Sequence, residues 1–345
     1  MTDRLSRLQA QLDQPLLVTE PTNIRYLCGF ESSNAALVVE RDRVRLYTDF
    51  RYFESAQDVA GVEPLLTKRR NLIDELGDVL SGAIGFERSL SYGSYETLRD
   101  AGLELTPTSG LVERLRAVKD EDELATIRKA CSITDRVFER LTEVPFVGRT
   151  EREVSWDLSQ LFHEEGGEGL AFESIVGAGP TGARPHARAG DRTIEAGELV
   201  VIDAGTVVGG YASDYTRTFA TGPLDGEAKE AYATVLRAQQ AALDGMRAGL
   251  SGVEADALAR NVIDESAFSG KLGHGLGHGL GLDVHELPRL STESSDTLQP
   301  GNVVTVEPGI YLEGRFGIRI EDDVVVTENG IENLTGFRKD LVEVS

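Results

Sequence analysis

Cysteine, histidine, lysine and tryptophan are scarce in this chain, and each scarcity narrows what the protein does. The two cysteines, Cys28 and Cys131, stand far apart and give neither a disulfide framework nor a paired-cysteine zinc signature. Lysine is confined to Lys68, Lys119, Lys129, Lys229, Lys271 and Lys339, and the formal net charge is -23. Binding a nucleic-acid backbone needs a basic face, so nucleic acid is excluded as a partner. Long apolar runs are missing too. No segment is long enough to span a bilayer, and the opening MTDRLSRLQAQLDQPLLVTEP lacks the apolar stretch of a signal peptide. These absences predict a protein of the reducing cytoplasm with no membrane partner.

What is present is the composition of a globular protein, 40% hydrophobic and 27% charged. A length of 345 residues exceeds what one small core organises, so two domains are expected. Pro15–Val18, Ala35–Val39, Val44–Tyr47 and Gly82–Phe86 read as strands, the middle two as a hairpin turning at Glu40–Arg43. Asn71–Leu80 and Ser94–Gly102 read as helices. The charged, turn-rich segment around Lys119–Glu123 supplies punctuation, and the boundary falls near Leu115–Lys119, giving domains over residues 1–116 and 117–345.

Beyond the boundary, Asp120 and Glu123 have the spacing of a capping box. Leu124, Ile127, Cys131, Thr134, Phe138 and Leu141 follow at helical spacing and predict an amphipathic helix over Glu121–Leu141. Thr150 with Glu153 opens a second helix that Gly166–Gly167 ends, and Glu227–Arg247 and Ser251–Glu265 are two more. Two strand-rich units, Leu199–Ala220 and Asn302–Val326, accompany these helix pairs and suggest a weak internal duplication. The expected class is a two-domain α/β (α+β) protein.

The chemistry concentrates in three stretches. KLGHGLGHGLGLDVHELP, Lys271–Pro288, holds His274, His278 and His285, out of 5 histidines in the whole chain. Each interior glycine would cost a packed helix about 1 kcal/mol. The composition suits instead a backbone that lets imidazoles converge and a substrate approach closely. In VVIDAGTVVGGYASDYTRTF, a two-residue turn at Gly209–Gly210 pairs Val208 with Tyr211. Counting outward puts Gly205 opposite Asp214, so Asp203 shares a face with Asp214 as its diagonal neighbour, about 7–8 Å away. Two acids on an apolar, buried strand need a counter-charge or a raised pKa. NVVTVEPGIYLEGRFGIRIEDDVVV then places Glu307 after one apolar strand and Glu321 inside another. Four carboxylates and one imidazole form a hard, oxygen-rich ligand set, suited to Mn²⁺, Co²⁺ or Fe²⁺ more than to a thiolate-type zinc site. Their charge is enough for two divalent ions and a bridging water.

These residues resemble those of the pita-bread metallopeptidases, the superfamily of aminopeptidase P, prolidase and methionine aminopeptidase. The segments IDAGTVVGGYASDYTRTFATG, FESIVGAGPTGARPHA, GHGLGHGLGLDVHELP, TVEPGIY and GIRIEDDVVVTENG carry the likeness. NIRYLCGF and LYTDFRY resemble the creatinase/prolidase N-terminal domain, which methionine aminopeptidases lack, so the proline-specific branch is favoured. The resemblance implies a creatinase/prolidase-like domain over 1–116, a pita-bread catalytic domain over 117–345, and a homodimer. It also implies two divalent metal ions per subunit, Mn²⁺ first, with Co²⁺, Fe²⁺ or Zn²⁺ as alternatives. By the same likeness Asp203 chelates one metal, His278 and Glu307 hold the other, and Asp214 and Glu321 bridge. Glu307 matches the carboxylate that relays a proton from the bridging water. His285 matches the histidine that hydrogen-bonds the tetrahedral intermediate, His186 a second substrate-contacting histidine, and His274 the histidine lining the proline pocket. Arg319 matches the arginine two positions before the bridging glutamate. The ending GFRKDLVEV departs from the family's Pro-Lys pair. Creatinase shares the fold without the metal ligands, whereas all five are present here, which disfavours a creatine hydrolase.

The implied reaction is hydrolysis of the bond between an N-terminal residue and proline, in proline-containing peptides or dipeptides. Prolidase, acting on Xaa-Pro dipeptides, and aminopeptidase P, acting on longer chains, both remain open. A prolidase must hold the substrate's terminal carboxylate. Arg289, Arg184 and Arg188 are candidates, each equally readable as a solvated surface residue. The alternatives are an aminopeptidase of broader or methionine specificity, and a catalytically inactive pita-bread protein that binds peptides. Such inactive relatives normally lose ligands.

Overall fold

In the computed structural model, which describes residues 2–69 and 71–345, the expected hairpin of the first domain closes between Val39 and Val44. It belongs to a six-stranded mixed sheet in the order Glu63–Leu66, Val44–Thr48, Ala35–Val39, Leu16–Val18, Ala83–Glu87, Glu104–Thr108. The two outer strands go beyond the sequence reading. Each is a parallel edge strand containing a proline, with side chains mostly exposed or half-buried, so neither shows an apolar period. Helices Leu72–Val79 and Tyr92–Asp100 form near the expected places, the first capped by Asn71 and the second by Ser91. Leu17, Val38, Leu76, Ile84 and Leu98 meet in the core of this sheet. The chain separates into two compact units, Met1–Arg116 and Ala117–Ser345.

The second unit is built twice over from a helix pair and a sheet. Helix Glu121–Leu141 and helix Glu151–Glu164 each begin with a complete capping box, Asp120 with Glu123 and Thr150 with Glu153. Their apolar faces, through Ile133, Val137, Phe138, Val154 and Leu158, bury Val200, Ile202, Tyr215 and Phe219. Those four residues lie in a three-stranded antiparallel sheet ordered Tyr215–Ala220, Leu199–Ala204, Ile175–Ala178. Helices Gly226–Gly245 and Gly252–Asp264 cover the second sheet in the same way, through Val235, Ala242, Ala259 and Ile263. That sheet is five-stranded and antiparallel, in the order Glu286–Leu290, Gly277–Gly279, Val303–Val306, Asp322–Val326, Ile331–Asn333. Fully burying each large aliphatic side chain is worth about 1.5–3 kcal/mol, so each helix pair commits one face of its sheet to packing. The opposite faces are left for chemistry.

One expectation is corrected. Glu321 lies not inside a strand but in the break between Phe316–Arg319 and Asp322–Val326, where its amide donates to Thr216 O at 3.1 Å instead of to a ladder partner.

Candidate metal centre and active site

Side-chain alternation decides which groups reach the uncovered faces. Val200 and Ile202 pack under the first helix pair, so Asp203 projects the other way. On the neighbouring strand Tyr215 and Phe219 pack against Phe138, which turns Thr216 and Thr218 to the side of Asp203. The pairing runs in one register from Val208 with Tyr211 to Ala204 with Tyr215, and sets Asp203 opposite Thr216 and diagonal to Asp214. Gly205 is required there, because a Cβ would come within 1.7 Å of Ser213 O. On the other sheet Val304 and Val306 face the second helix pair, which directs Thr305 and Glu307 away from it. The glycines beside His278 also follow from close approach, since a Cβ on Gly277 would meet Thr305 O at 2.1 Å.

The acids converge where the two uncovered faces meet. One ligand atom each from Asp214, His278 and Glu321 lies within 4.8 Å of the others. His278 Nε2 is 3.7 Å from Asp214 Oδ2 and 3.4 Å from Glu307 Oε1. Its Nδ1 is 3.1 Å from Gly279 O, an atom that only accepts, so the proton sits on Nδ1 and the lone pair of Nε2 faces the carboxylates. Thr216 Oγ1 donates to Glu321 Oε2 at 2.6 Å and accepts from Arg319 Nε at 2.9 Å. The Arg319 guanidinium, itself buried, also donates to Asp203 Oδ2 at 2.6 Å, Tyr311 Oη at 2.8 Å and Pro185 O at 3.3 Å.

Burial raises the carboxyls. Asp214 is pushed well above the usual carboxylate range by burial first, then by the charges of Glu321 and Asp203. Glu321 is pushed well up by burial, then by Glu307 and Asp203. Glu307 is pushed up to about 8, again mainly by burial. Asp203 Oδ1 is buried without a hydrogen-bond partner. A set of buried acids that raise one another, with oxygen atoms to spare and an imidazole lone pair among them, is the donor set a divalent cation satisfies. The residues present fit such an ion.

Three more histidines, His285, His274 and His186, lie around this cluster, while His163 lies in helix Glu151–Glu164. The His285 ring centroid is 4.3 Å from that of His278, and burial and then His186 hold His285 below the ordinary imidazole value. His274 Nδ1 faces Gly275 O at 2.7 Å, so its Nε2 accepts from Tyr311 Oη at 2.9 Å, and burial pushes its pKa down to about 4. His186 is exposed, and its charge is felt at both His274 and His285. Arg184, Arg188 and Arg289 are exposed, and Arg188 Nε lies 3.3 Å from Glu173. The sequence reading missed Tyr311, which joins His274 to Arg319, and Thr216, which joins Arg319 to Glu321. Thr216 was findable, being two residues beyond Asp214 on the same face. Tyr311 lies across a loop whose register cannot be counted from sequence.

Comparison with known proteins places these features in a family. Residues 125–328 match the model of metallopeptidase family M24, and residues 4–118 that of the creatinase/prolidase N-terminal domain. The chain is 34% identical to the Xaa-Pro dipeptidase of Pyrococcus furiosus, covering 99% of this chain and 100% of that one. Its fold superposes on the solved Xaa-Pro dipeptidase from Bacillus anthracis with a TM-score of 0.95, at 38% identity over 99% of both chains. It superposes on the X-Pro aminopeptidase from Thermotoga maritima with a TM-score of 0.88, at 34% identity over 98% of this chain and 100% of that one. The fold is that of a pita-bread metallo-exopeptidase. The chain belongs to metallopeptidase family M24, in its proline-specific branch with a creatinase/prolidase N-terminal domain.

Proposed function

We propose that this M24 peptidase cleaves the bond between an N-terminal residue and proline, using two divalent ions per subunit, Mn²⁺ ahead of Co²⁺, Fe²⁺ or Zn²⁺. The observation that carries the reading is the buried meeting of Asp214, His278 and Glu321, with Glu307 3.4 Å from the imidazole. Asp203, Asp214, His278, Glu307 and Glu321 would hold the ions. When bound, divalent ions acidify a water and polarise the scissile carbonyl.

The chain's own residues do the rest. Glu307 takes the water's proton and passes it to the proline nitrogen, which needs that proton to leave. His285, its imidazole held below the ordinary value by desolvation and then by His186, donates a hydrogen bond to the oxygen on which charge develops. His186 contacts the substrate from the exposed rim. His274, held in one tautomer by Gly275 and Tyr311, lines the pocket for the proline ring, which brings no N–H of its own. Arg319 neutralises Asp203 and fixes Tyr311.

Likeness to the Pyrococcus furiosus Xaa-Pro dipeptidase supports a dipeptide substrate, and likeness to the Thermotoga maritima X-Pro aminopeptidase supports a longer one. Arg184, Arg188 and Arg289 are the candidates to hold a dipeptide's carboxylate. A cytoplasmic homodimer goes with either. The test is hydrolysis of Ala-Pro, Ala-Pro-Ala and a Met-Ala-Ser peptide by Mn²⁺-reconstituted protein. Cleavage of the dipeptide alone makes it a prolidase, and cleavage of the tripeptide an aminopeptidase P. Cleavage of Met-Ala-Ser alone, or inertness with all four metals, overturns the proposal.

A further inference from the structure

A fifth acid stands behind the cluster and has no part in the reaction just described. Asp323 lies in strand Asp322–Val326, opposite Thr305, and is fully buried among valines. Its main chain is already satisfied, the N–H by Thr335 Oγ1 at 3.0 Å and the C=O by the Leu334 amide at 2.9 Å. Its carboxylate accepts the main-chain N–H of Asp214 at 2.9 Å and the Cys131 thiol at 3.3 Å, both on Oδ2. Oδ1 is buried with no partner. Burying a carboxylate with one oxygen unmatched is expensive, and an apolar residue would suit this strand better on packing grounds alone.

The gain is local to Asp214. Residues 213 and 214 interrupt the ladder between strands Tyr211–Ala212 and Tyr215–Ala220, at the point where Gly205 is pressed against Ser213 O. Ser213 still donates to Thr206 O at 2.9 Å, whereas the next amide, that of Asp214, goes to Asp323. The Asp323 side chain is thus the acceptor for this amide at a point where the strand ladder is broken. The strand that carries Asp323 directly follows Glu321. One carboxylate therefore ties the backbone of Asp214 to the strand that begins beside Glu321.

We propose that Asp323 is a positioning residue for the metal centre: by holding the Asp214 amide, its buried carboxylate fixes where the Asp214 side chain stands against His278 and Glu321. The inference rests on the reading of Asp214 as a metal ligand given above. Groups that orient ligands in this way are typically worth 10- to 100-fold in metal affinity.

The test titrates metal-free protein with Mn²⁺ alone and follows binding by calorimetry, with no substrate. Asp323→Leu and Asp323→Ala both remove the acceptor, one filling the space and the other leaving it, so either one, folded, is informative. A Mn²⁺ affinity lower by about 10- to 100-fold is expected for both. Asp323→Asn keeps an acceptor oxygen for the Asp214 amide and should stay within about 3-fold of wild type. Wild-type affinity in the Leu or Ala variant overturns the proposal, as does an Asn variant as weak as Ala. A wild-type measurement stands beside the variants. The Asp214 amide should resist hydrogen exchange before any Mn²⁺ is added, and free exchange until Mn²⁺ binds would also overturn it. Asp214→Ala separates the two layers. If that variant binds Mn²⁺ like wild type, the ligand reading itself fails; if it is weakened while the Asp323 variants are not, only the positioning role fails.

Discussion

His278 and His285 are neighbours in space with different surroundings. His278 is hemmed in by carboxylates and presents a bare Nε2 to them, whereas His285 lies against the His278 ring and is exposed. On the proposed reading, His278→Ala lowers metal content, while His285→Ala keeps the metals and lowers kcat by about 10²-fold, the loss expected for one donor to a developing oxyanion. Metal analysis beside steady-state kinetics checks this, and metal loss in His285→Ala would defeat the division of labour. Glu87 shows the same contest between burial and hydrogen bonds away from the site. Its carboxylate accepts from the Thr19 amide at 2.7 Å, the Glu20 amide at 2.9 Å and Asn23 Nδ2 at 2.6 Å, yet burial outweighs them and pushes it from 4.5 up to about 7. A folded state that holds its proton more tightly than the unfolded chain is favoured below the unfolded pKa and loses that advantage as pH rises through the folded one. The unfolding free energy of wild type relative to Glu87→Gln should therefore fall between about pH 4.5 and 7, by on the order of 3 kcal/mol. Urea titrations of both proteins across that range measure it, and a flat difference would refute it.

Caps and clamps decide stability at the scale of the element. Asp120→Ala removes half of the box that opens the 21-residue helix Glu121–Leu141 and should cost about 1 kcal/mol of unfolding free energy, read as a lowered urea midpoint at constant m-value. A larger loss is expected one helix pair later. Arg260 donates to both oxygens of Asp256, four residues earlier on helix Gly252–Asp264, and to the carbonyls of Leu272 and His274, at 2.9 and 2.7 Å. Asp256 in turn accepts the Leu276 amide at 2.9 Å, and Leu276 O accepts the Glu307 amide at 2.8 Å. The glycine-rich loop has no ladder of its own here, so this pair supplies its frame. Arg260→Met leaves the buried Asp256 without its cation and should cost about 3 kcal/mol, measured in the same way. The capping boxes and the Gly209–Gly210 register were legible in the sequence because short-range rules set them: a side chain reaching three residues, a two-residue turn that fixes pairing outward. The edge strands Glu63–Leu66 and Glu104–Thr108 were not, because position in the sheet rather than side-chain pattern makes them strands. Nor was the helix Pro21–Cys28, whose preceding Glu20 makes no side-chain cap. The acids of the site could be listed from sequence. That Asp323 reaches the amide of Asp214 depends on how two sheets meet, which no local spacing encodes.

At the scale of the whole molecule, acidity and architecture act together. The chain carries a net charge of -23, and several of its acids are gathered on the uncovered faces of the two sheets in the second unit, where they repel one another. Each unit has its own hydrophobic core: the cluster around Leu17, Leu76 and Leu98 lies wholly within the first, and those around Phe138 and Val235 wholly within the second. A ligand that binds only the folded second unit should stabilise that unit and leave the other as it was. Mn²⁺ at 100 times its dissociation constant adds about 2.7 kcal/mol, which for a unit of this size corresponds to a rise of about 5–10 °C in midpoint. Hydrogen exchange locates the gain. Peptides covering Leu199–Ala204 and Val303–Val306 should become more protected on adding Mn²⁺ and revert with a chelator, while peptides covering Leu16–Val18 and Ala83–Glu87 should be unchanged. Asp214→Ala should abolish the effect. Equal protection of both units would mean that the ion acts through general charge screening of an acidic chain, and protection of neither would mean that the buried acids bind no ion.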